Sequence, residues 1–158
     1  MSGRESFLPL ESQAYVLGRP KHRARIKQHH DEFVVAETLG FEPSGDGEHL
    51  MLLVEKSGQS TREAARKISQ ILAIDERDVG YSGMKDRRAR TRQWYSARVA
   101  QLSEGISARF EEAGLDILRL ERNYRKLRLG SHKSNQFQLL LRGFSGCAQD
   151  FELSLIHI

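Results

Sequence analysis

Cysteine is almost missing from this chain. Cys147 is the single one among 158 residues, which excludes an intramolecular disulfide and a multi-cysteine zinc site and suits a reducing compartment, with the cytoplasm as the default. Long apolar runs are missing as well. None approaches the ~20 residues a membrane helix needs, and Met1 to Arg25 contains no hydrophobic signal core, so a soluble protein outside the membrane is expected. Aromatic residues are scarce at 8% and the mean hydropathy is -0.55, yet 39% hydrophobic and 29% charged residues are those of a globular chain. No internal repeat or low-complexity tract is present, which excludes a solenoid. Neither sign of charge dominates. Twenty-five Lys and Arg against 21 Asp and Glu leave +4, so a polyanionic partner is admissible but not demanded. His29 and His30 are adjacent and the other histidines isolated; without a helical i, i+4 pair, no metal site is expected.

What is present reads as alternating strands and turns. Residues 1 to 23 lack any period and are expected to form an extended arm. Phe33, Val35 and Glu37 then alternate with Val34, Ala36 and Thr38, the pattern of a strand. A turn at Pro43 to Gly47 leads to a second strand over Glu48 to Lys56, with Leu50, Leu52 and Val54 on a core face and Met51 and Leu53 on the other. Ser60 and Glu63 form a capping box, so a helix should begin at Thr61 and bury Ala64, Ala65, Ile68, Ile71 and Leu72. A short strand or turn is expected over Val79 to Ser82. Met84 to Arg92 is too basic and aperiodic for a core element and is placed as a loop.

Further strands are expected over Thr91 to Val99, Ile117 to Tyr124 and Gln136 to Phe144, with a short helix over Ser103 to Ala113. In the first of these, Trp94 faces one side and Tyr95, Ala97 and Val99 the other. Strands outnumber helices and most connections are short. The fold class is therefore α+β, a mixed or antiparallel sheet with helices on one face.

The chemistry concentrates in Gly83-Met84-Lys85-Asp86-Arg87-Arg88, where one carboxylate stands among cations, with Arg90 and Arg92 following. An aspartate, of ordinary pKa about 3.9, is already an anion near neutrality and needs no base to act as a nucleophile. Neighbouring cations suit phosphates on either side of a nucleotide, and Trp94, Tyr95 or another aromatic offers a stacking face. The bland reading of the same residues is an exposed turn in which Asp86 pairs with Arg87 or Arg88, because surface ion pairs are common and weak.

Gly83-Met84-Lys85-Asp86-Arg87, with Ala89, Thr91, Gln93 and Trp94, resembles the catalytic motif of the TruD family of tRNA pseudouridine synthases. Three other segments resemble family blocks in the same order. They are Lys27 with Asp31 to Glu37, Gly45 to Leu50 with Ser60-Thr61, and Lys126 to Gly130 with Asn135 and Phe137. The resemblance runs from Lys27 to Arg142. It implies part of a pseudouridine synthase catalytic domain that isomerises a uridine in tRNA, position 13 in typical bacterial members, without metal or organic cofactor. Asp86 would be the catalytic carboxylate and Lys27, Phe33, Lys85, Arg87, Asn135 and Phe137 the substrate-binding residues: Phe137 would stack on the flipped base, Asn135 would support that pocket or Asp86, and Lys27 would meet the carboxylate or a phosphate. Read without the resemblance, Phe137 is as readily a core residue, Asn135 a turn cap and Lys27 a solvated cation.

The resemblance further implies that residues 24 to 152 are the N-terminal portion of a longer catalytic domain and that 153 to 158, which depart from the family pattern, are a non-native tail at a truncation. A non-catalytic RNA-binding fragment is the rival reading. A metal-dependent nuclease would need several convergent carboxylates, which Asp86 lacks in its neighbourhood. Arg119, Arg122, Arg125, Lys126, Arg128 and Lys133 are candidates for an extended RNA track.

Overall fold

The computed structural model describes residues 21–150. The expected arm over 1 to 23 lies mostly outside the described residues, and the expected tail over 153 to 158 lies wholly outside them. The chain divides into two units, Ile26–Leu141 and a second built from Met1–Arg25 with Arg142–Ile158. In the second unit Arg25 and Arg142 exchange backbone hydrogen bonds of 2.8 and 2.9 Å, and the rings of His22 and Phe144 lie 5.6 Å apart.

Within Ile26–Leu141, six strands and two helices follow in the order β1 (Phe33–Leu39), β2 (His49–Ser57), α1 (Thr61–Leu72), β3 (Val79–Tyr81), β4 (Arg90–Arg98), α2 (Ile106–Glu112), β5 (Leu115–Asn123) and β6 (His132–Leu139). They form one mixed sheet in the order β5-β2-β4-β1-β6, with β3 also paired to β4. All pairings are antiparallel except β1 with β4, where Val34 to Ala36 lie beside Arg90 to Arg92. One edge of β4 thus serves β1 at its start and β3 near its end.

The period-two pattern of β2 decides the layers. Leu50, Leu52 and Val54 join Tyr95, Ala97 and Leu115 under Ala64, Ala65, Ile68 and Ile71 of α1 and Phe110 of α2. Each buried Leu, Ile, Val or Phe among them contributes about 1.5–3 kcal/mol. Met51 and Trp94 point the other way and pack with Leu39 and Leu127. The helices therefore cover one face, as the alternation predicts. The capping box is formed as expected: Ser60 Oγ accepts from Glu63 N–H, and Glu63 Oε2 accepts from Ser60 N–H at 2.8 Å.

Several boundaries differ from the sequence expectation: α2 starts at Ile106 rather than Ser103, β5 at Leu115 rather than Ile117, and β6 ends at Leu139 rather than Phe144. β6 begins at His132 rather than Gln136, because pairing with β1 extends from Phe33↔Leu139 to Leu39↔His132 and overrides the poor strand propensity of Ser134 and Asn135. β4 begins at Arg90, so Arg90 leaves the expected loop, and Thr91 and Arg92, where the expected loop and strand overlapped, belong to the strand. Inside the remaining loop, Lys85 and Ala89 are buried, so its basic composition does not keep it out of the interior.

Candidate functional site

The segment from Ser82 to Ala89 has no regular structure and is held in place by side chains from three directions. Glu37 of β1, almost fully buried, accepts hydrogen bonds from Ser82 Oγ at 2.6 Å, from Lys85 Nζ at 2.5 Å and from Trp94 N–H at 3.3 Å. From the start of α1, Thr61 Oγ1 accepts from Lys85 N–H at 2.8 Å and donates to Gln93 Oε1 at 2.9 Å. Gln93 in turn donates to the carbonyl of Gly83 at 2.7 Å, and Tyr95 OH donates to Gln93 Oε1 at 3.0 Å. Burial raises the Tyr95 pKa above its ordinary value, so its hydroxyl keeps its proton for this bond. A buried ion pair with its lone pairs occupied is costly to break and defines one geometry.

That clamp leaves Asp86 projecting from the next position, with its side chain 52% exposed. Lys27 Nζ donates to Asp86 Oδ2 at 2.6 Å, and among the described residues Oδ1 has no partner. The same ammonium stands 4.0 Å from the centre of the Phe33 ring, a cation–π contact. Lys27 has a positive φ of 54°, which only one other described non-glycine residue shares, the helix-ending Ala73. Holding a lysine there costs free energy, which surrounding structure must offset. Gln28 N–H donating to the buried Glu32 carboxylate at 2.8 Å is part of that support.

Phe33 and Phe137 lie across the β1–β6 pair, their rings stacked with centroids 6.1 Å apart and planes 11° apart. Phe137 pairs with Val35 and Asn135 with Glu37, and side chains of directly paired residues share a face of the sheet. Phe137 is 63% exposed, so it is not the core residue that strand alternation alone permits. Asn135 Oδ1 is buried and has no hydrogen-bond partner among the described residues, an unsatisfied acceptor of the kind native structures seldom leave. A carboxylate, a cation and an exposed ring therefore meet on one open surface.

The sequence model of the family described as tRNA pseudouridine synthase D (TruD) matches residues 9–155. The chain belongs to the TruD family. The match is wider at both ends than the stretch from Lys27 to Arg142 on which the four motifs rest. A solved structure of a candidate tRNA pseudouridine synthase D from Methanosarcina mazei is similar, with a TM-score of 0.68 and 22% identity over 84% of this chain and 30% of that one. The chain thus spans less than a third of the length of that protein. At this identity the likeness speaks for the fold, which is the α+β arrangement expected from the sequence.

Of the residues that TruD resemblance singles out, Lys27, Phe33 and Phe137 form a contiguous row with Asp86. Lys85 and Arg87 do not join it as free cations. Lys85 is spent on Glu37, and Arg87 is ion-paired with Glu63 of α1. Arg90 and Arg92, expected to extend a phosphate clamp, both grip Glu55 at 2.7 Å. Burial alone would raise the Glu55 carboxyl, but the two guanidinium groups outweigh it and lower its pKa. Nor do Trp94 and Tyr95 offer a stacking face, since both are core residues. Glu37, Thr61 and Gln93 were not foreseen as supports of the loop. The one signal was Glu37 itself, a charge in line with Phe33 and Val35 on an otherwise apolar alternation.

Proposed function

We propose that this chain is the N-terminal portion of the catalytic domain of an enzyme that isomerises uridine to pseudouridine in tRNA, at position 13 by family resemblance, with Asp86 as catalytic carboxylate. The reading is carried by the exposed carboxylate of Asp86, held by Lys27 at 2.6 Å in a row that runs through Phe33 to the exposed Phe137 ring. A uridine flipped out of its stack would lie on Phe137, with one face toward the ring and its glycosidic carbon toward Asp86. The free Asp86 oxygen would assist cleavage of the N1–C1′ bond between base and ribose; the base would then turn and bond to C1′ through carbon 5, which gives up its proton while N1 gains one. Asn135, its Oδ1 buried, would support the pocket or Asp86 from beneath. Lys27 would fix the carboxylate and remain close to a flanking phosphate. No metal or organic cofactor enters this scheme, and the setting would be the cytoplasm.

A tritium-release assay on tRNA carrying uridine labelled at carbon 5 tests it. The expected result is release by the wild-type protein, undiminished by EDTA, and background release by Asp86→Asn with tRNA binding retained. Equal release by the Asn variant would remove Asp86 from its role. The openness of the surface around Phe137 favours a second reading, a piece that binds RNA without closing a catalytic pocket. Binding of tRNA without any release by the wild type would support that one.

A further inference from the structure

A second groove lies away from Asp86, where the β1–β2 loop meets the segment between β5 and β6. Its volume is about 880 Å³, within the range of small-ligand sites, and Phe41, His49, Tyr124, Arg125 and Arg128 line it. The walls are built rather than accidental. Gly47, at φ 117°, packs so closely on Asn123 that an added Cβ would stand 2.5 Å from its backbone. Ser44 N–H donates to Asn123 Oδ1 at 3.2 Å, and Asn123 Nδ2 donates to the Arg125 carbonyl at 2.8 Å. Tyr124 is anchored through its hydroxyl, which donates to Asp46 Oδ2 at 3.0 Å, while 63% of the residue remains exposed.

Arg87, Arg90, Arg92, Arg98 and Arg119 all have carboxylate partners, whereas Arg125 and Arg128 have none among the described residues. His49 is 8% exposed, and its Nδ1 has no hydrogen-bond partner. Burial lowers its pKa, so the ring is neutral near pH 7 and Nδ1 awaits a partner. The segment is also tied to the Asp86 loop, since Gly130 N–H donates to the Ser82 carbonyl at 2.7 Å.

An exposed, anchored aromatic face beside two uncompensated guanidinium groups suits an unpaired nucleotide: the base stacks and the phosphates are neutralised. We propose that the groove walled by Phe41, Tyr124, Arg125 and Arg128 is a second RNA subsite, taking a single-stranded stretch of the substrate outside the Asp86 surface. It rests on the reading above that the substrate is RNA. A protein partner has less to gain here, because two unpaired guanidinium groups would have to be desolvated without a polyanion.

Fluorescence anisotropy with 5′-labelled single-stranded hexauridine, across a salt series, tests the subsite on the 158-residue chain. Tyr124→Ala is expected to weaken binding roughly tenfold with an unchanged salt slope. Tyr124→Phe, which also loses the Asp46 bond but keeps the ring, is expected to bind like wild type. Arg125→Gln with Arg128→Gln should weaken binding and make the log–log salt slope shallower by about 1.4, some 0.7 for each phosphate released. Arg109→Gln on α2 is the control and should change nothing. Wild-type affinity in the double arginine variant, equal losses in the two Tyr124 variants, or no binding of the probe by wild type would overturn the subsite. Probe binding that follows this pattern without tritium release from tRNA would sink the catalytic reading and leave the subsite standing.

Discussion

Glu37 and Lys56 are two buried charges with opposite fates. Glu37 has three donors, among them the Lys85 ammonium. Glu37→Gln would leave that ammonium buried without a counter-charge, and a loss of about 3–5 kcal/mol in urea unfolding is expected. Replacing both members, Glu37→Gln with Lys85→Met, should recover much of it, since the penalty belongs to the unpaired charge. Lys56 is 2% exposed and donates to the Gln59 carbonyl at 2.8 Å. Burial, and then the Lys85 ammonium, lower its pKa from 10.5 to about 8, with Glu63 opposing. Between those values the unfolded chain binds more protons than the folded one, so stability rises with pH from about 8 toward 10.5; below 8 the full cost is present. Lys56→Met is therefore expected to be more stable than wild type at pH 7, by at most about 3 kcal/mol. That advantage should shrink as pH rises toward 10.5. Urea midpoints of the two proteins at pH 7 and 10 check this, and a constant difference would refute it.

Helix α1 does two jobs at its first turn. Its capping box closes the helix, and Thr61 one residue later holds the backbone of the Asp86 loop. Ser60→Ala is expected to cost about 1 kcal/mol in thermal or urea unfolding. Thr61→Val should cost stability and also lower tritium release, because the N–H of Lys85 loses its acceptor and Asp86 is the next residue. Release equal to wild type in Thr61→Val would detach the helix from the site. The helix and the β2 strand were legible in the sequence because their signals are local: Ser60 and Glu63 are three residues apart, and Leu50, Leu52 and Val54 show their alternation within five. The start of β6 was not, because Ser134 and Asn135 are poor strand formers that become a strand only when β1 supplies partners. For the same reason Lys85 read as a substrate-binding cation in a basic loop until Glu37, 48 residues away, took it into the interior.

Across the whole sheet, β6 is the least protected strand. It occupies one end of the strand order, and Phe137 and Leu139 on it are 63% and 43% exposed. An open edge with exposed apolar side chains is a template for pairing with another chain. Leu139→Lys is therefore expected to reduce self-association in sedimentation velocity while leaving the melting temperature nearly unchanged. Association that persists undiminished in that variant would place the sticky surface elsewhere. By itself the sequence determined the alternation of β1 and β2, the capped helix, the α+β class and the motif around Asp86, because each depends on residues near one another along the chain. Tertiary structure alone decided that Lys85 and Arg87 are taken up by Glu37 and Glu63, that Phe33 and Phe137 stack, and that Trp94 and Tyr95 are core. Those outcomes depend on which strands become neighbours, and the strand order follows from the burial of the entire sheet rather than from any local run of residues.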